Sequence, residues 1–288
     1  MVYKLLAVNI DGALLQSNGR ISKATKEAIE YVQSKGVTVV LVTSHSYQFS
    51  KKVAKSLKSD PMVVAANGAY VGTSINKPLF VKKIADKTTL DVVKLLEGIG
   101  CRFKVHFEDS EVANRVNMPE NLLGKAVMYV NEPKAFAHHY VDDVGEYLQN
   151  HTNTPLSIEA FFQSKQEQKD IKDVLMNVFH DLTIIEKDHY VTIIGPENIN
   201  KWKGILYLAE HLGITKKEIV AIGESIDDLE MVISAGLGVA MGNSDKELKR
   251  RADWVARTND DDGVAYTVKE LFRKQYQLQF LEKMNLLK

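Results

Sequence analysis

The sequence predicts an α/β protein with a doubly wound, parallel-sheet core and an inserted α+β domain. Short runs of Val, Ile and Leu without polar alternation recur along the chain, and segments with helical spacing lie between them. Such runs are typical of strands buried on both faces of a parallel sheet. This strand–helix rhythm is interrupted between residues 84 and 194 and then resumes, which predicts the insertion.

The predicted core strands all end in polar or glycine-rich turns. They are residues 5–10, 38–44, 62–68, 219–225, 238–243 and 254–259. Helices are predicted at residues 22–35, 201–212 and 227–235, and a glycine follows each of them. Glycine directly after the last apolar position is a common end of a helix. We therefore assign residues 1–83 and 195–288 to the core domain and residues 84–194 to the inserted domain.

The inserted domain and the C-terminal segment have their own patterns. In the insertion we predict a helix at residues 88–100 and more polar strands at residues 102–109, 125–132, 182–188 and 189–195. In residues 263–288, apolar residues recur at roughly helical spacing and predict a long or broken amphipathic helix. We expect this helix to pack on the core or to mediate self-association.

Composition narrows the class of protein. The 37 basic and 37 acidic residues cancel, so overall charge favours neither nucleic acid nor an anionic membrane as a partner. Cys101 is the single cysteine, which excludes an internal disulfide and is typical of a small core residue in a reducing compartment. No run approaches the ~18 apolar residues of a membrane span. We predict a cytoplasmic protein.

Polar groups follow the predicted core strands where these strands end. They are Asn9 and Asp11; Thr43 and Ser44; Asn67; Glu224, Asp227 and Asp228; and Asn243 and Ser244, with Lys201 at the start of a helix. Ligands bind beyond the carboxyl ends of the strands in open α/β sheets. Carboxylate and amide oxygens suit Mg²⁺, and a lysine with hydroxyl donors suits a phosphate. The chain lacks the GxxxxGK[ST] pattern of a P-loop, and a receiver domain would have its phospho-acceptor aspartate where this chain has Asn67.

Five segments resemble the motifs of one known family. VNIDGALL (8–15) is similar to DxDGTLL, VTSHS (42–46) stands where (A/V)TGR is expected, and ANGA (66–69) contains NGA. INKWKGILYLAEHLGI (199–214) is similar to a lysine-bearing motif, and IGESIDDLEM (222–231) is similar to GDxxNDxxM. The chain thus resembles the Cof-type haloacid dehalogenase-like phosphatases over nearly its whole length, as a degenerate member of a Bacillus-type, stress-response kind. Residues 235–265 follow the family pattern most closely.

The resemblance implies roles for particular positions. In the family, the first aspartate of the first motif attacks phosphorus and the second acts as acid and base; Asn9 and Asp11 hold these positions. It implies phosphate binding by Thr43 and Lys201, and we add Ser44 and Asn67. The implied metal ligands are Asn9, Asp11, Glu224, Asp227 and Asp228. It also implies that the inserted domain is a cap that sets substrate specificity.

Asn9 is the departure with the largest chemical consequence. An amide is a very poor nucleophile, and removal of a nucleophile costs about 10⁶-fold in another hydrolase class. Ser44-His45 stand where the family has Gly-Arg, and Asp227 stands where it has Asn. Four acids remain in the two acidic motifs, so we expect an Mg²⁺ site that is weakened rather than lost.

Three functions follow as alternatives. The first is a protein that binds a phosphorylated small molecule, or regulates through it, with severely impaired catalysis. The second is an active phosphatase that uses Asp11 in a modified mechanism. The third is a structural interaction protein with a vestigial cleft. The retained Asp11, Thr43, Lys201 and Asp228 favour the first two alternatives over the third.

Overall fold

The chain forms two compact units. The computed structural model describes residues 2–57, 59–74, 77–115, 139–151, 153–187 and 190–279. Unit 1 comprises residues 1–82 and 199–288, and unit 2 comprises residues 83–198. The predicted strand at residues 125–132 and the last part of the predicted C-terminal helix lie outside the described residues. Within the described ranges, no helix is long and apolar enough to cross a membrane.

The elements of the two units are numbered here in chain order. The strands are β1 (Leu5–Asn9), β2 (Thr38–Val42), β3 (Met62–Ala65), β4 (Tyr70–Ser74), β5 (Lys77–Val81), β6 (Arg102–His106), β7 (Glu111–Asn114), β8 (His139–Val141), β9 (Ser157–Phe161), β10 (Leu182–Lys187), β11 (Val191–Pro196), β12 (Ile219–Gly223), β13 (Leu237–Ala240) and β14 (Trp254–Val255). The helices are α1 (Lys23–Ser34), α2 (Tyr47–Ser56), α3 (Asp86–Gly98), α4 (Val144–Asn150), α5 (Lys165–Val178), α6 (Lys201–His211), α7 (Leu229–Ser234), α8 (Lys246–Arg251) and α9 (Gly263–Phe272).

Unit 1 contains the predicted parallel sheet. Its strand order is β14-β13-β12-β1-β2-β3-β4-β5, and the neighbours from β14 to β3 pair in parallel. The predicted doubly wound α/β fold is therefore confirmed. The sheet also continues through two antiparallel strands, β4 and β5, that the sequence did not predict. Residues 70–81 are interrupted by polar residues, and Pro78 suits the edge position that β5 takes.

The core of unit 1 lies on both faces of this sheet. Leu6 and Val8 of β1 belong to one hydrophobic cluster, whereas Leu5 and Ala7 belong to the cluster on the opposite face. All four residues are fully buried. Burial of successive residues on opposite faces explains why the sequence of β1 shows no polar alternation.

The C-terminal helix α9 packs on unit 1. Val264, Val268 and Phe272 are buried in the same cluster as the apolar residues of α1. Beyond α9, the Gln275 side chain accepts a hydrogen bond from the Tyr3 backbone N–H at 2.9 Å and donates one to the Tyr3 carbonyl at 2.8 Å. The predicted segment thus begins with a helix that packs on the core and ends at Phe272. Self-association through residues 263–288 stays a prediction.

In its described residues, unit 2 has a six-stranded sheet with its own core. Its order is β10-β11-β9-β6-β7-β8, antiparallel except for the parallel pair of β7 and β8. The core residues include Phe103 and Val105 of β6, together with Val92, Val144 and Leu175 from α3, α4 and α5. Cys101 belongs to the same core and is 3% exposed. These three helices of the described residues therefore contribute to a single core.

The other face of β6 carries charge. Alternation along the strand places Lys104 and His106 opposite the core residues Phe103 and Val105. His106 lies between two carboxylates, with Nδ1 at 3.3 Å from Glu111 and Nε2 at 3.4 Å from Glu159. Burial alone would lower the pKa of His106, but the two adjacent carboxylates outweigh it and raise the pKa to about 9.

Candidate active site

The candidate site lies at the carboxyl edge of the parallel sheet in unit 1. Asn9 is the last residue of β1, Thr43 follows β2, and Glu224 follows β12. The pairing of β1 with both β2 and β12 brings these three strand ends side by side. Helix α6 begins at Lys201 after the N-cap residue Asn200, whose side chain accepts a hydrogen bond from the Lys203 backbone N–H. The topology therefore assembles the predicted groups at one edge, as expected for this type of sheet.

Lys201 is the centre of a buried ionic cluster. Its side chain is 2% exposed, and Nζ lies 2.6 Å from Asp228 Oδ1 and 2.8 Å from Asp227 Oδ2. Nζ also donates to Asn9 Oδ1 at 3.4 Å. An ammonium group has three N–H bonds, so these three acceptors match its full donor capacity.

The charges in this cluster depend on one another. Burial alone would lower the pKa of Lys201, but the carboxylates of Asp228 and Asp227 outweigh it and raise the pKa. Burial also raises the pKa of Asp228, against the opposing charge of Lys201. Lys201 is thus held as a cation by the two carboxylates, and each charge is buried only because its partners are present.

The Asn9 amide has one orientation that satisfies both of its contacts. Its Oδ1 faces the Lys201 ammonium, and its Nδ2 donates to the backbone carbonyl of Asp11 at 2.8 Å. A flipped amide would place N–H groups against the ammonium and an oxygen against the carbonyl, and neither pair could form a hydrogen bond. A carboxylate at position 9 would likewise have no hydrogen to give to the Asp11 carbonyl.

Asp227 is held by two serines as well as by Lys201. Ser44 donates its hydroxyl to Asp227 Oδ2, and Ser225 donates its hydroxyl to Oδ1. Asp228, in turn, accepts from the backbone N–H groups of Glu224 at 2.8 Å and Ser225 at 3.2 Å through Oδ2. The oxygens of both aspartates therefore already have hydrogen-bond donors.

Asp11 lies on the more exposed side of the site. Its Oδ2 accepts a hydrogen bond from the Thr43 hydroxyl at 3.3 Å and lies 3.5 Å from His45 Nε2. The His45 backbone N–H donates to Thr43 Oγ1 at 3.0 Å, and the His45 ring packs on Phe49 with the ring centroids 4.9 Å apart. Asp11 and His45 have side-chain exposures of 38% and 34%, so an external ligand can contact them.

Gly12 allows the first loop to pass close to Glu224. Its φ is +65°, and a Cβ at this position would lie 2.6 Å from Glu224 Cδ. The Gly12 carbonyl accepts a hydrogen bond from Asn243 Nδ2 at 2.8 Å. Both the conformation and the close approach require glycine here.

The structure brings most of the predicted site residues into contact. Lys201, Asn9, Asp227 and Asp228 form one cluster, to which Ser44 is hydrogen bonded, and Asp11 and Thr43 form a second. Asn67 lies next to Thr43 through a backbone hydrogen bond, in which its N–H donates to the Thr43 carbonyl at 3.1 Å. Glu224 faces Gly12. Their functional roles stay predictions.

Ser225 was not among the predicted site residues. It clamps Asp227 and also forms a capping box with Asp228. The S-x-x-D spacing in the sequence ESIDD was a signal for this box, because serine followed by an acid three residues later is a common helix start.

The oxygens of the site already take part in hydrogen bonds that compete with Mg²⁺. The cation would need the oxygens of Asn9, Asp11 and the acids after β12, as the resemblance implies. Yet the Asn9 amide donates to the Asp11 carbonyl, and Lys201 and the serines donate to the aspartates. Among the described residues, no group of three His, Cys, Asp or Glu side chains could hold a metal ion. The oxygens as arranged do not fit Mg²⁺.

Comparison with known proteins establishes the family. The family model of the haloacid dehalogenase-like hydrolases matches residues 6–268, and the chain belongs to this family. It is 40% identical to the stress response protein YhaX of Bacillus subtilis (strain 168), with 99% of each chain covered. The predicted membership, including the likeness to a Bacillus stress-response protein, is confirmed.

Two further comparisons connect the chain to phosphatases and to the fold. The chain is 28% identical to the 5-amino-6-(5-phospho-D-ribitylamino)uracil phosphatase YcsE of Bacillus subtilis, over 92% of this chain and 94% of that protein. The solved structure of a haloacid dehalogenase-like hydrolase from B. subtilis superimposes with a TM-score of 0.82 at 24% identity, covering 93% of this chain and 99% of that one. The chain thus has phosphatase relatives, and the fold is that of the family.

Proposed function

We propose that this protein is a binding or regulatory protein for a phosphorylated small molecule, and that its phosphatase activity is severely impaired. The observation that carries the proposal is Asn9. Its amide stands at the end of β1 with its oxygen toward Lys201 and its nitrogen on the Asp11 carbonyl. No atom of this side chain is a competent nucleophile toward phosphorus.

The retained groups support binding rather than a vestigial cleft. Thr43 and His45 contact the half-exposed carboxylate of Asp11, and the buried Lys201 cation contributes positive charge beside Asn9. A phosphorylated metabolite is the class of ligand that fits the name of the relative YcsE. In this proposal, unit 2 acts as the cap that selects the ligand.

Phosphatases of this family generally use Mg²⁺. The resemblance assigns the cation to Asn9, Asp11, Glu224, Asp227 and Asp228, but the present hydrogen bonds of Asn9, Asp227 and Asp228 do not fit it. The proposal of ligand binding does not depend on it.

The variant Asn9→Asp tests the proposal. Asn and Asp are nearly the same size, so the fold should persist while a carboxylate nucleophile is restored. We expect the rate of Mg²⁺-dependent hydrolysis of p-nitrophenyl phosphate to rise at least about tenfold over wild type. This rise requires the activation barrier to fall by only about 1.4 kcal/mol. Asn18→Asp, the same change in an exposed loop, serves as the matched control and should leave the rate unchanged.

Ligand binding is tested separately on the wild-type protein. A panel of phosphorylated metabolites is screened for thermal stabilisation and, in parallel, for phosphate release. Stabilisation by one of them without release is the expected result. Absence of stabilisation by the whole panel would contradict the proposal.

The pair of Asp11 and His45 favours a second candidate, an active phosphatase with a modified mechanism. Asp11 is half-exposed and in contact with a histidine, which is an arrangement that can move a proton. In that case wild type should hydrolyse phosphate esters well, and Asp11→Asn should abolish the activity while Asn9→Ala should not.

A further inference from the structure

We propose that the site at the end of β1 is held together without a divalent cation, because the Lys201 ammonium and the Asn9 amide already donate to the oxygens that a cation would need. The inference deepens the proposed function and rests on it for the class of ligand, a phosphorylated molecule. It concerns the same residues but a different property: the folded site does not need Mg²⁺.

The first argument is the count of hydrogen-bond donors. All three N–H bonds of Lys201 are matched by Asp228, Asp227 and Asn9. Two serine hydroxyls and two backbone N–H groups satisfy the remaining positions on the aspartates. A divalent cation in this cluster would have to displace donors that are already in place.

The second argument is the role of the Asn9 amide. The oxygens that β1 offers to a cation are the side-chain oxygen of Asn9 and the carbonyl of Asp11. In this structure Nδ2 of Asn9 donates to that carbonyl at 2.8 Å, and Oδ1 faces an ammonium. The neutral Asn9 side chain thus connects the Asp11 carbonyl to Lys201, and position 9 itself carries no charge for a cation to neutralise.

The third argument is that the unusual residues contact one another. Ser44 stands where the family motif has glycine, and Asp227 stands where it has asparagine. These two side chains form a hydrogen bond with each other, and Asp227 also pairs with Lys201 at 2.8 Å. The negative charge absent at position 9 is therefore present at position 227. The substitutions form one connected arrangement rather than separate losses.

Electrostatics agree with this arrangement. Lys201, Asp227 and Asp228 together leave one net negative charge, which the four neutral donors stabilise through hydrogen bonds. Asn9→Asp would add a second negative charge and would remove the donor to the Asp11 carbonyl. We therefore expect this single change to create a cation requirement.

The experiment measures the melting temperature and the heat of binding with MgCl₂ as the only added probe, against protein stripped with EDTA. We expect wild type to show no Mg²⁺-dependent rise in melting temperature and no saturable binding heat. Asn9→Asp should gain both, with a rise of a few degrees once Mg²⁺ exceeds its dissociation constant about tenfold. Asn18→Asp should behave as wild type does.

Inorganic phosphate separates this inference from the proposed function. Equal phosphate binding by wild type in EDTA and in Mg²⁺ supports both. The inference is overturned if phosphate binding requires Mg²⁺, or if wild type binds Mg²⁺ saturably when no phosphate is present. Either result leaves the proposed function standing. If neither phosphate nor any phosphorylated metabolite stabilises the protein, and Mg²⁺ does not bind either, the inference is supported and the proposed function is contradicted.

Discussion

At the scale of single residues, Lys201 shows how much one buried charge depends on its partners. Taking an ammonium out of water is unfavourable, and only the pairing with Asp227 and Asp228 offsets that cost. Removing the lysine would leave two aspartates close together in a buried place. The consequence should therefore appear in stability as well as in ligand binding.

Lys201→Met should lower the free energy of unfolding by about 3–5 kcal/mol, the cost of breaking a buried ion pair by removing one partner. Denaturant unfolding measures this value. Lys203→Met, on the exposed side of the same helix, is the control and should change stability by less than about 1 kcal/mol. Adding Asp227→Asn to Lys201→Met should recover part of the loss. A loss below about 1 kcal/mol for Lys201→Met would contradict the buried cluster.

His106 makes stability depend on pH. Its folded-state pKa is raised from 6.5 to about 9 by Glu111 and Glu159, with Lys104 nearby on the same face of β6. Because the pKa is raised on folding, the protonated form stabilises the folded state. That stabilisation is fully present below pH 6.5 and is lost as the pH rises through about 9.

His106→Gln should remove this pH dependence. The difference in unfolding free energy between wild type and variant should be largest below pH 6.5, on the order of 3 kcal/mol, and should decline as the pH approaches about 9. Urea unfolding at a series of pH values gives the curve. His180→Gln, at an exposed position of the same unit, should run parallel to wild type. A difference that stays constant with pH would contradict the charged state of His106.

The sequence identified which residues stand at the strand ends but not how their side chains are connected. Asn9 and Asp228 were predicted because parallel strands end at a common edge, and Lys201 because it stands at the start of the helix before β12. The hydrogen bond from Asn9 to the Asp11 carbonyl depends on a side-chain rotation, which no residue pattern encodes. The contacts of His106 were also hidden, because Glu159 comes from a strand far along the chain that pairs with β6.

At the scale of elements, the turn after β3 and the start of α6 are fitted against each other at Gly68. Its φ is +94°, and a Cβ here would lie 2.4 Å from the backbone oxygen of Asn200. Asn200 is the N-cap of α6, and the next residue is Lys201. The position of the cluster therefore depends on a backbone contact between two elements.

Gly68→Ala should destabilise the protein more than a glycine replacement that introduces backbone strain alone. The control is Gly213→Ala, which has a φ of +67° and no atom within 4 Å of the added Cβ. We expect about 1–2 kcal/mol for the control, the cost of a left-handed residue, and roughly 1–3 kcal/mol more for Gly68→Ala from overpacking. Thermal or urea unfolding of the two variants measures both losses of stability. Equal losses would show that the contact with Asn200 relaxes without cost.

Element boundaries followed local signals where those signals were strong. Ser22 caps α1 and Gly36 follows its end with a φ of +84°, as the spacing in the sequence predicted. Strands β4 and β5 were not predicted because β4 is stabilised by pairing with β3 and β5 by pairing with β4, and their own residues are partly polar. Tertiary pairing at the sheet edge overrides weak local preference.

At the scale of the whole molecule, the chain is organised as two units with separate cores. Unit 2 has apolar residues from three helices and its own sheet in one cluster. Unit 1 is completed only by residues on both sides of the insertion, since β1 pairs with β2 before it and with β12 after it. Unit 2 is therefore continuous in sequence, whereas unit 1 is not.

Residues 83–198 expressed alone should fold and unfold cooperatively in urea, because the core of unit 2 is contained in them. Circular dichroism and a sigmoidal unfolding curve are the measurements. Phe103→Ala should destabilise this fragment by about 3–5 kcal/mol, the usual range for a buried phenylalanine. In the full chain, the same change should shift one unfolding transition and leave the other in place. A fragment without cooperative unfolding would contradict the division into units.

The location of Cys101 in the core of unit 2 has a practical consequence for measuring motion. It is the one thiol of the chain, it is 3% exposed, and burial raises its pKa to about 12. Alkylating reagents react with thiolates, so modification in the intact protein requires unit 2 to open. The rate of iodoacetamide labelling therefore reports the opening of unit 2 alone, while unit 1 contributes no signal. The native sequence contains a site-specific reporter of local unfolding without any engineered label.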